Sequence, residues 1–379
     1  MSETTFAKGL EGVIAAESKV CLIKGEEGLL SYRGYEIENL AMNSTFGESA
    51  WLLLFGELPT AEELAGFRKR LASARKLDAS ILNVLRSLPK DTHPMVALQA
   101  AVAAHGALDP VPGGKSQENV ERAMDLIARF PTMVAAWARL REGQEPVEPR
   151  EDLGHGQNFL YMLNNEVPDE ETGHIFDVCL ILHMEHSFNA STFAGRVIAS
   201  TLAPLDAAIS GAVGALYGPL HGGANEGVLK MLEEVPEPAK VREWLDDALS
   251  RKVKIMGMGH RVYKSKDPRS FVLEGHLKRL SEKTGNDWNY SRLKAIENNF
   301  REIVESQGRK IYPNVDFFAG SLYTVLGIQV IDFTPIFAIA RVVGWAAHIL
   351  EQWEDNRIFR PDCLYTGPEP RTWTPFEER

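Results

Sequence analysis

Beyond residue 40 the apolar residues of this chain recur three and four apart in segment after segment, and period-two alternation is rare. Such spacing puts side chains on one face of a helix, so the pattern predicts an all-α fold. Thr60 and Glu63 form a capping box ahead of Leu64, Phe67 and Leu71. Ile81, Leu82, Leu85 and Leu88 make another stripe, stopped by Pro89. Residues 119–130 and 132–141 read as two helices on either side of Pro131. Further helices are expected over 159–164, 175–185, 193–202, twice within 225–250, and over 273–280, 288–306 and 334–352. The last has Thr334 as N-cap and Pro335 at its first position. Only the start reads otherwise: residues 20–23 and 29–32 flank a glycine-containing turn as a short β-hairpin.

A chain of 379 residues can bury a large core and is expected to split into two domains. Its 44% hydrophobic and 25% charged residues are ordinary globular composition. The net charge of −11 argues against a general nucleic-acid binder and against a basic membrane-surface protein. Cys21, Cys179 and Cys363 are widely spaced with no CxxC pair, which suits a reducing compartment and argues against a disulfide framework or zinc ribbon. No basic region followed by an apolar stretch opens the chain, and the longest apolar runs are interrupted, as by Pro204 and Asp206. A cytoplasmic protein without a membrane span is expected.

Against the acidic background, residues 251–269 hold seven basic side chains and one acid, a local charge of +6. The run (Arg251, Lys252, Lys254, Arg261, Lys264, Lys266, Arg269) is either a solvated face or an anion site. Gly257-Met258-Gly259 interrupts it and His260 follows, which favours the anion site, because glycine backbone can approach a ligand closely. His221 stands in Gly218-Pro219-Leu220-His221-Gly222-Gly223 ahead of a helical run. At a helix N-terminus an imidazole tends to stay neutral and can donate to a developing enolate oxygen; otherwise it is a loop contact. Asp316 follows Pro313-Asn314-Val315 and precedes apolar residues. It is either a general base with a raised pKa or the cap of the next helix. His183 and His186 share a helical face, but the pattern is not HExxH and no third ligand stands nearby. His186 beside Asn189 reads better as a neutral donor to a substrate oxygen. Arg341, alone in an apolar helix, needs an acceptor, either an internal carboxylate or a ligand's. Arg360 by itself reads as surface, and His93, His105, His155, His174, His276 and His348 as structural or surface residues.

Together GPLHGGANEGV around His221, GMGHRVYKSKDPRS from Gly257 to Ser270 and PNVDFFAG around Asp316 resemble the citrate synthase family in order and spacing. Similarity at residues 9–13, 32–35, 183–192 and 341–344 extends it over nearly the whole chain. The resemblance implies an all-α fold with a large domain (1–220 and 328–379) and a smaller one (221–327) that closes over the substrates. It implies condensation of acetyl-CoA with oxaloacetate and hydrolysis of the citryl thioester, with no metal or redox cofactor. Asp316 matches the base, His221 the donor to the thioester oxygen and His260 the donor to the oxaloacetate carbonyl. His186, Arg269 and Arg341 match oxaloacetate-binding groups. Arg360 matches an arginine given to the neighbouring subunit of a homodimer or larger homo-oligomer. Lys254, Ile255, Met256, Gly257, Met258, Gly259 and Lys264 match the region that holds CoA.

Three other functions compete with this one, the weakest being a metal-dependent hydrolase, for which no third ligand stands near His183 and His186. A 2-methylcitrate synthase would use propionyl-CoA with the same groups, a difference of one methyl worth about 1–3 kcal/mol. A non-catalytic helical assembly protein would not need every proton-transfer group in place.

Overall fold

The computed structural model describes residues 7–260 and 262–379. Among the described residues are sixteen α-helices and one small sheet. The sheet is antiparallel, β1 (Cys21–Lys24), β2 (Leu29–Tyr32) and β3 (Tyr35–Glu36), so the expected hairpin gains a third short strand. The first six helices are α1 (Ile37–Asn43), α2 (Phe46–Phe55), α3 (Ala61–Ala74), α4 (Ala79–Ser87), α5 (Pro94–Leu108) and α6 (Gln117–Arg141). Then come α7 (His155–Asn164), α8 (Glu170–His183), α9 (Ala190–Ala199), α10 (Leu205–Tyr217) and α11 (Ala224–Glu234). The last are α12 (Val241–Ser250), α13 (Pro268–Thr284), α14 (Trp288–Ser306), α15 (Asp316–Val325) and α16 (Phe333–Glu354).

The expected capping box opens α3: Thr60 accepts from the Glu63 N–H and Glu63 accepts from the Thr60 N–H. Two expectations are corrected. Residues 117–141 form one helix with Pro131 inside it. A proline in a helix interior costs about 3 kcal/mol. Phe130, Met133, Val134 and Trp137 are buried around it, each worth about 1.5–3 kcal/mol, so packing outweighs the break. Thr334 does not cap α16, which begins at Phe333. Its hydroxyl instead lies 2.9 Å from Glu226 Oε1 and 3.3 Å from the Gly222 carbonyl, tying α16 to the His221 turn.

α16 is the axis of the larger group of helices, packing on α2, α5, α6, α8, α9 and α10. It is long and apolar enough to cross a membrane, but 83% of that stretch is buried inside the fold, so it is a core helix. Helices α11 to α15 pack on one another and meet the rest where α11 touches α16 and α13 touches α1 and α8. The His221 turn stands at the start of this second group.

Candidate active site

His221 occupies the turn between α10 and α11, closed by its N–H on the Gly218 carbonyl at 2.9 Å. Its Nε2 is held by another helix: the Ser191 N–H points at it from 3.3 Å and Ser191 Oγ lies 2.8 Å away. Ser191 is in the first turn of α9, capped by Asn189. Asn189 Oδ1 also lies 3.2 Å from Nε2, but it already accepts from Ser191 Oγ and the Thr192 N–H, whereas the Ser191 N–H can only donate; we therefore assign Nε2 as the acceptor and place the ring proton on Nδ1. Burial first, then Arg341, lowers the His221 pKa to about 4. The sequence pointed to the helix that follows His221; the structure adds the N-terminus of α9, whose dipole opposes protonation in the same sense.

His260 and Asp316 are brought together by two irregular segments. Met258 pairs with Pro313 in an isolated β-bridge. The Gly259 N–H donates to Tyr312 (2.8 Å), the Asn314 N–H to Gly257 (2.9 Å) and the Asn314 side chain to Gly259 (2.9 Å). Gly257, at φ +76°, is a glycine for this reason: a Cβ there would sit 2.9 Å from Phe317 Cα. Its close approach is to the start of α15, where the sequence suggested a ligand.

Nδ1 of His260 accepts from the N–H groups of Val262 (3.0 Å) and Tyr263 (3.2 Å), so its proton is on Nε2. Burial first, then Arg269, lowers its pKa to about 4. The His260 ring stands 5.3 Å from that of His186, whose Nε2 is 3.2 Å from the Tyr263 hydroxyl. His186 is held well below its ordinary value by burial, with Arg269, His260 and Arg341 adding to it.

Asp316 is the first residue of α15, with Val315 at the N-cap position, and its side chain accepts no hydrogen bond among the described residues; its N–H donates to Asn314 Oδ1 at 3.0 Å. Burial pushes its carboxyl up to about 6 against the opposing pull of Arg269. A carboxyl poised there is a competent base near neutral pH.

The two buried arginines differ. Arg269 meets Asp267 two-pronged, Nε at 2.9 Å and Nη2 at 2.7 Å, and its Nη1 has no protein acceptor among the described residues. Asp267 also accepts the Val315 N–H at 3.3 Å, joining Arg269 to the Asp316 segment. Arg341 is 1% exposed and gives only its Nε, to the His183 carbonyl at 2.7 Å. Among the described residues no carboxylate lies within ion-pair distance of it. Its guanidinium sits 4.7 Å over the Phe337 ring, which is 6.3 Å from the His221 ring. Of the two acceptors the sequence allowed, the internal carboxylate is therefore missing among the described residues.

The basic run is weaker than its count. Arg251 pairs with Asp247, Lys266 with Glu274 and Glu297, and Arg269 with Asp267. Arg261 lies outside the described residues. Lys254 and Lys264 are exposed; Met256 and Gly259 are half-buried; Ile255, Gly257 and Met258 are buried. Lys254, Ile255 and Met258 line a cavity of about 350 Å³ with Phe300, Gln307 and Arg309. Arg360 is 80% exposed, 3.6 Å from Asp362 in the extended C-terminal segment, and is not brought to the cleft within one chain. The expectation that His183 and His186 share a helical face is corrected: α8 ends at His183, whose Nδ1 donates to the Cys179 carbonyl at 2.8 Å, and His186 lies beyond the helix. Among the described residues no three His, Cys, Asp or Glu side chains gather where a metal could sit.

Ser191, Tyr263 and Asp267 were not singled out in sequence, though each supports a site group. For Asp267 the signal was present, since Asp-Pro opens α13 and puts the acid two residues before Arg269. Ser191 and Tyr263 act across 30 and 77 residues, respectively, and no local pattern marks them.

Comparison with known proteins shows the family. Residues 9–362 match the family described as citrate synthase, C-terminal domain. The citrate synthase of Deinococcus radiodurans is 45% identical, with 99% of this chain and all of that protein covered. A 2-methylcitrate synthase of Corynebacterium glutamicum is 41% identical over the whole of both chains. The crystal structure of the Pyrobaculum aerophilum citrate synthase has a TM-score of 0.91 at 42% identity, covering 98% of this chain and 95% of that one. That of the Thermoplasma acidophilum enzyme, in ternary complex with carboxymethyl coenzyme A and oxaloacetate, has a TM-score of 0.92 at 32% identity, covering 99% and 100%. The chain belongs to the citrate synthase family.

Proposed function

We propose that the protein condenses acetyl-CoA with oxaloacetate and hydrolyses the resulting citryl thioester, releasing citrate and CoA. The observation that carries this is Arg341: a buried guanidinium with no carboxylate partner among the described residues, beside neutral imidazoles and a carboxyl of raised pKa. Such a cation suits a substrate carboxylate.

In this reading Asp316 takes a methyl proton from acetyl-CoA while His221 donates from Nδ1 to the thioester oxygen. The enol carbon attacks the oxaloacetate carbonyl, which His260 polarises from Nε2–H. Two neutral imidazoles offer strong hydrogen bonds where charge develops without being strong acids. Water then cleaves the thioester and CoA leaves as the thiol. Arg341, the open edge of Arg269, and His186 hold oxaloacetate. Residues 254–259 with Lys264 hold CoA. Residues 221–327 close over the substrates, excluding water until the carbon–carbon bond has formed. Arg360 completes the site of a second subunit, so the homodimer is the working unit. No metal or redox cofactor takes part.

An acyl-CoA panel with oxaloacetate, read by CoA release, tests the reading; the highest kcat/KM is expected for acetyl-CoA. The 41% identity to a 2-methylcitrate synthase keeps propionyl-CoA as the second reading. A propionyl preference would establish it, and absence of CoA release with either would sink both.

A further inference from the structure

Outside the groups used above, one buried carboxylate stands out. Glu185 is 0% exposed. One oxygen accepts from His348 Nε2 at 2.9 Å; the other, Oε2, is buried with no hydrogen-bond partner among the described residues. Arg196 Nη1, a donor only, points at His348 Nδ1 from 3.2 Å, so the His348 proton resides on Nε2, facing Glu185. A carboxylate buried this deeply is costly unless something requires it.

Its surroundings suggest the requirement. Arg341, Gly344 and His348 lie at i, i+3 and i+7 on one face of α16. The 183–186 segment runs along that face in step with it. The His183 carbonyl takes the Arg341 Nε–H at 2.7 Å, and Glu185 takes the His348 N–H. Between them, a Cβ on Gly344 would stand 2.3 Å from the Met184 carbonyl oxygen and 2.4 Å from Glu185 Oε2. Behind the segment, Tyr32 Oη receives the Glu185 N–H at 3.2 Å. The next residue is His186, which enters the cleft beside Tyr263 and His260.

We infer that Glu185, latched to His348 through the gap left by Gly344, is a positioning residue that sets Arg341 and His186 together for one substrate carboxylate. The inference rests on the oxaloacetate reading of Arg341. It assigns Glu185 no contact with substrate. Glu185 also supplies the largest favourable influence on the buried Arg341 charge, whose pKa burial lowers.

The test is a split between substrates. Glu185→Ala is expected to raise the oxaloacetate KM, and its Kd by calorimetry without acetyl-CoA, about tenfold or more. The acetyl-CoA KM at saturating oxaloacetate should move less than about twofold. Glu185→Gln keeps an acceptor for His348 and should stay within about threefold of wild type. If Glu185→Ala does not fold, His348→Phe and Gly344→Ala are read in the same way. An unchanged oxaloacetate Kd in a folded variant, or an equal rise in both KM values, overturns the inference. Wild-type protein that releases no CoA would overturn the reading of the activity instead, a result seen before any variant is made.

Discussion

Ser191 and His221, thirty residues apart, meet with the serine N–H aimed at His221 Nε2 from 3.3 Å and its hydroxyl 2.8 Å from the same atom. The Trp345 indole N–H in turn reaches the serine hydroxyl at 3.1 Å, so the core helix α16 steadies the contact. His260 is the mirror case, with Nδ1 occupied by two backbone N–H groups. The two rings should therefore be opposite tautomers. Nitrogen-15 spectra at pH 7 are expected to show His221 protonated on Nδ1 and His260 on Nε2; the same tautomer for both would refute the assignment.

Asp316, raised to about 6 chiefly by burial, must lose its proton to act as a base. The acid limb of the kcat/KM profile should fall near pH 6 and vanish in Asp316→Asn, together with about 10²–10⁴ of kcat. The linkage to stability has a definite sign. A carboxyl whose folded pKa is raised favours folding less once pH exceeds the unfolded value of about 3.9, and the cost is complete above about 6. Asp316→Asn should thus raise Tm at pH 8 more than at pH 4, and equal shifts at both would contradict the burial argument.

Arg269 and Arg341 should separate on stability although both are proposed to hold oxaloacetate. Arg269→Ala leaves Asp267 buried without its partner, a loss of about 3–5 kcal/mol. Arg341→Ala breaks no ion pair among the described residues and should cost less. Both are expected to raise the oxaloacetate KM strongly. Denaturation curves beside initial rates check this; an unchanged KM in a folded Arg341 variant would misplace the clamp.

The proposed sharing of Arg360 between subunits predicts recovery on mixing. Arg360→Ala and Asp316→Asn homodimers should each be nearly inactive. Heterodimers verified by mass should regain activity, because one of their two sites then has both groups intact. No recovery would count against a shared site.

Much of the fold was readable before any coordinates. The helix over 288–306 and the Thr60 capping box came out as expected, since both rest on contacts within one or two turns. Pro131 and Thr334 misled for one reason: local preference is worth a few kcal/mol at most, and buried packing or a distant hydroxyl partner can override it. Of the candidate site, His221, His260, Asp316, Arg269 and Arg341 stood out in the chain through glycine, proline and charge.

Their states did not. Which nitrogen of each histidine carries the proton depends on N–H groups 30 residues away for one ring and two or three for the other. Arg269 is half engaged because Asp267 folds back on it, and Arg341, on α16, is open because the end of α8 brings a carbonyl to it but no carboxylate among the described residues. Residue type and short-range spacing are properties of the chain and survive in one dimension. Burial, tautomer and the pairing of charges are sums over neighbours from many segments, and they exist only once those segments have packed.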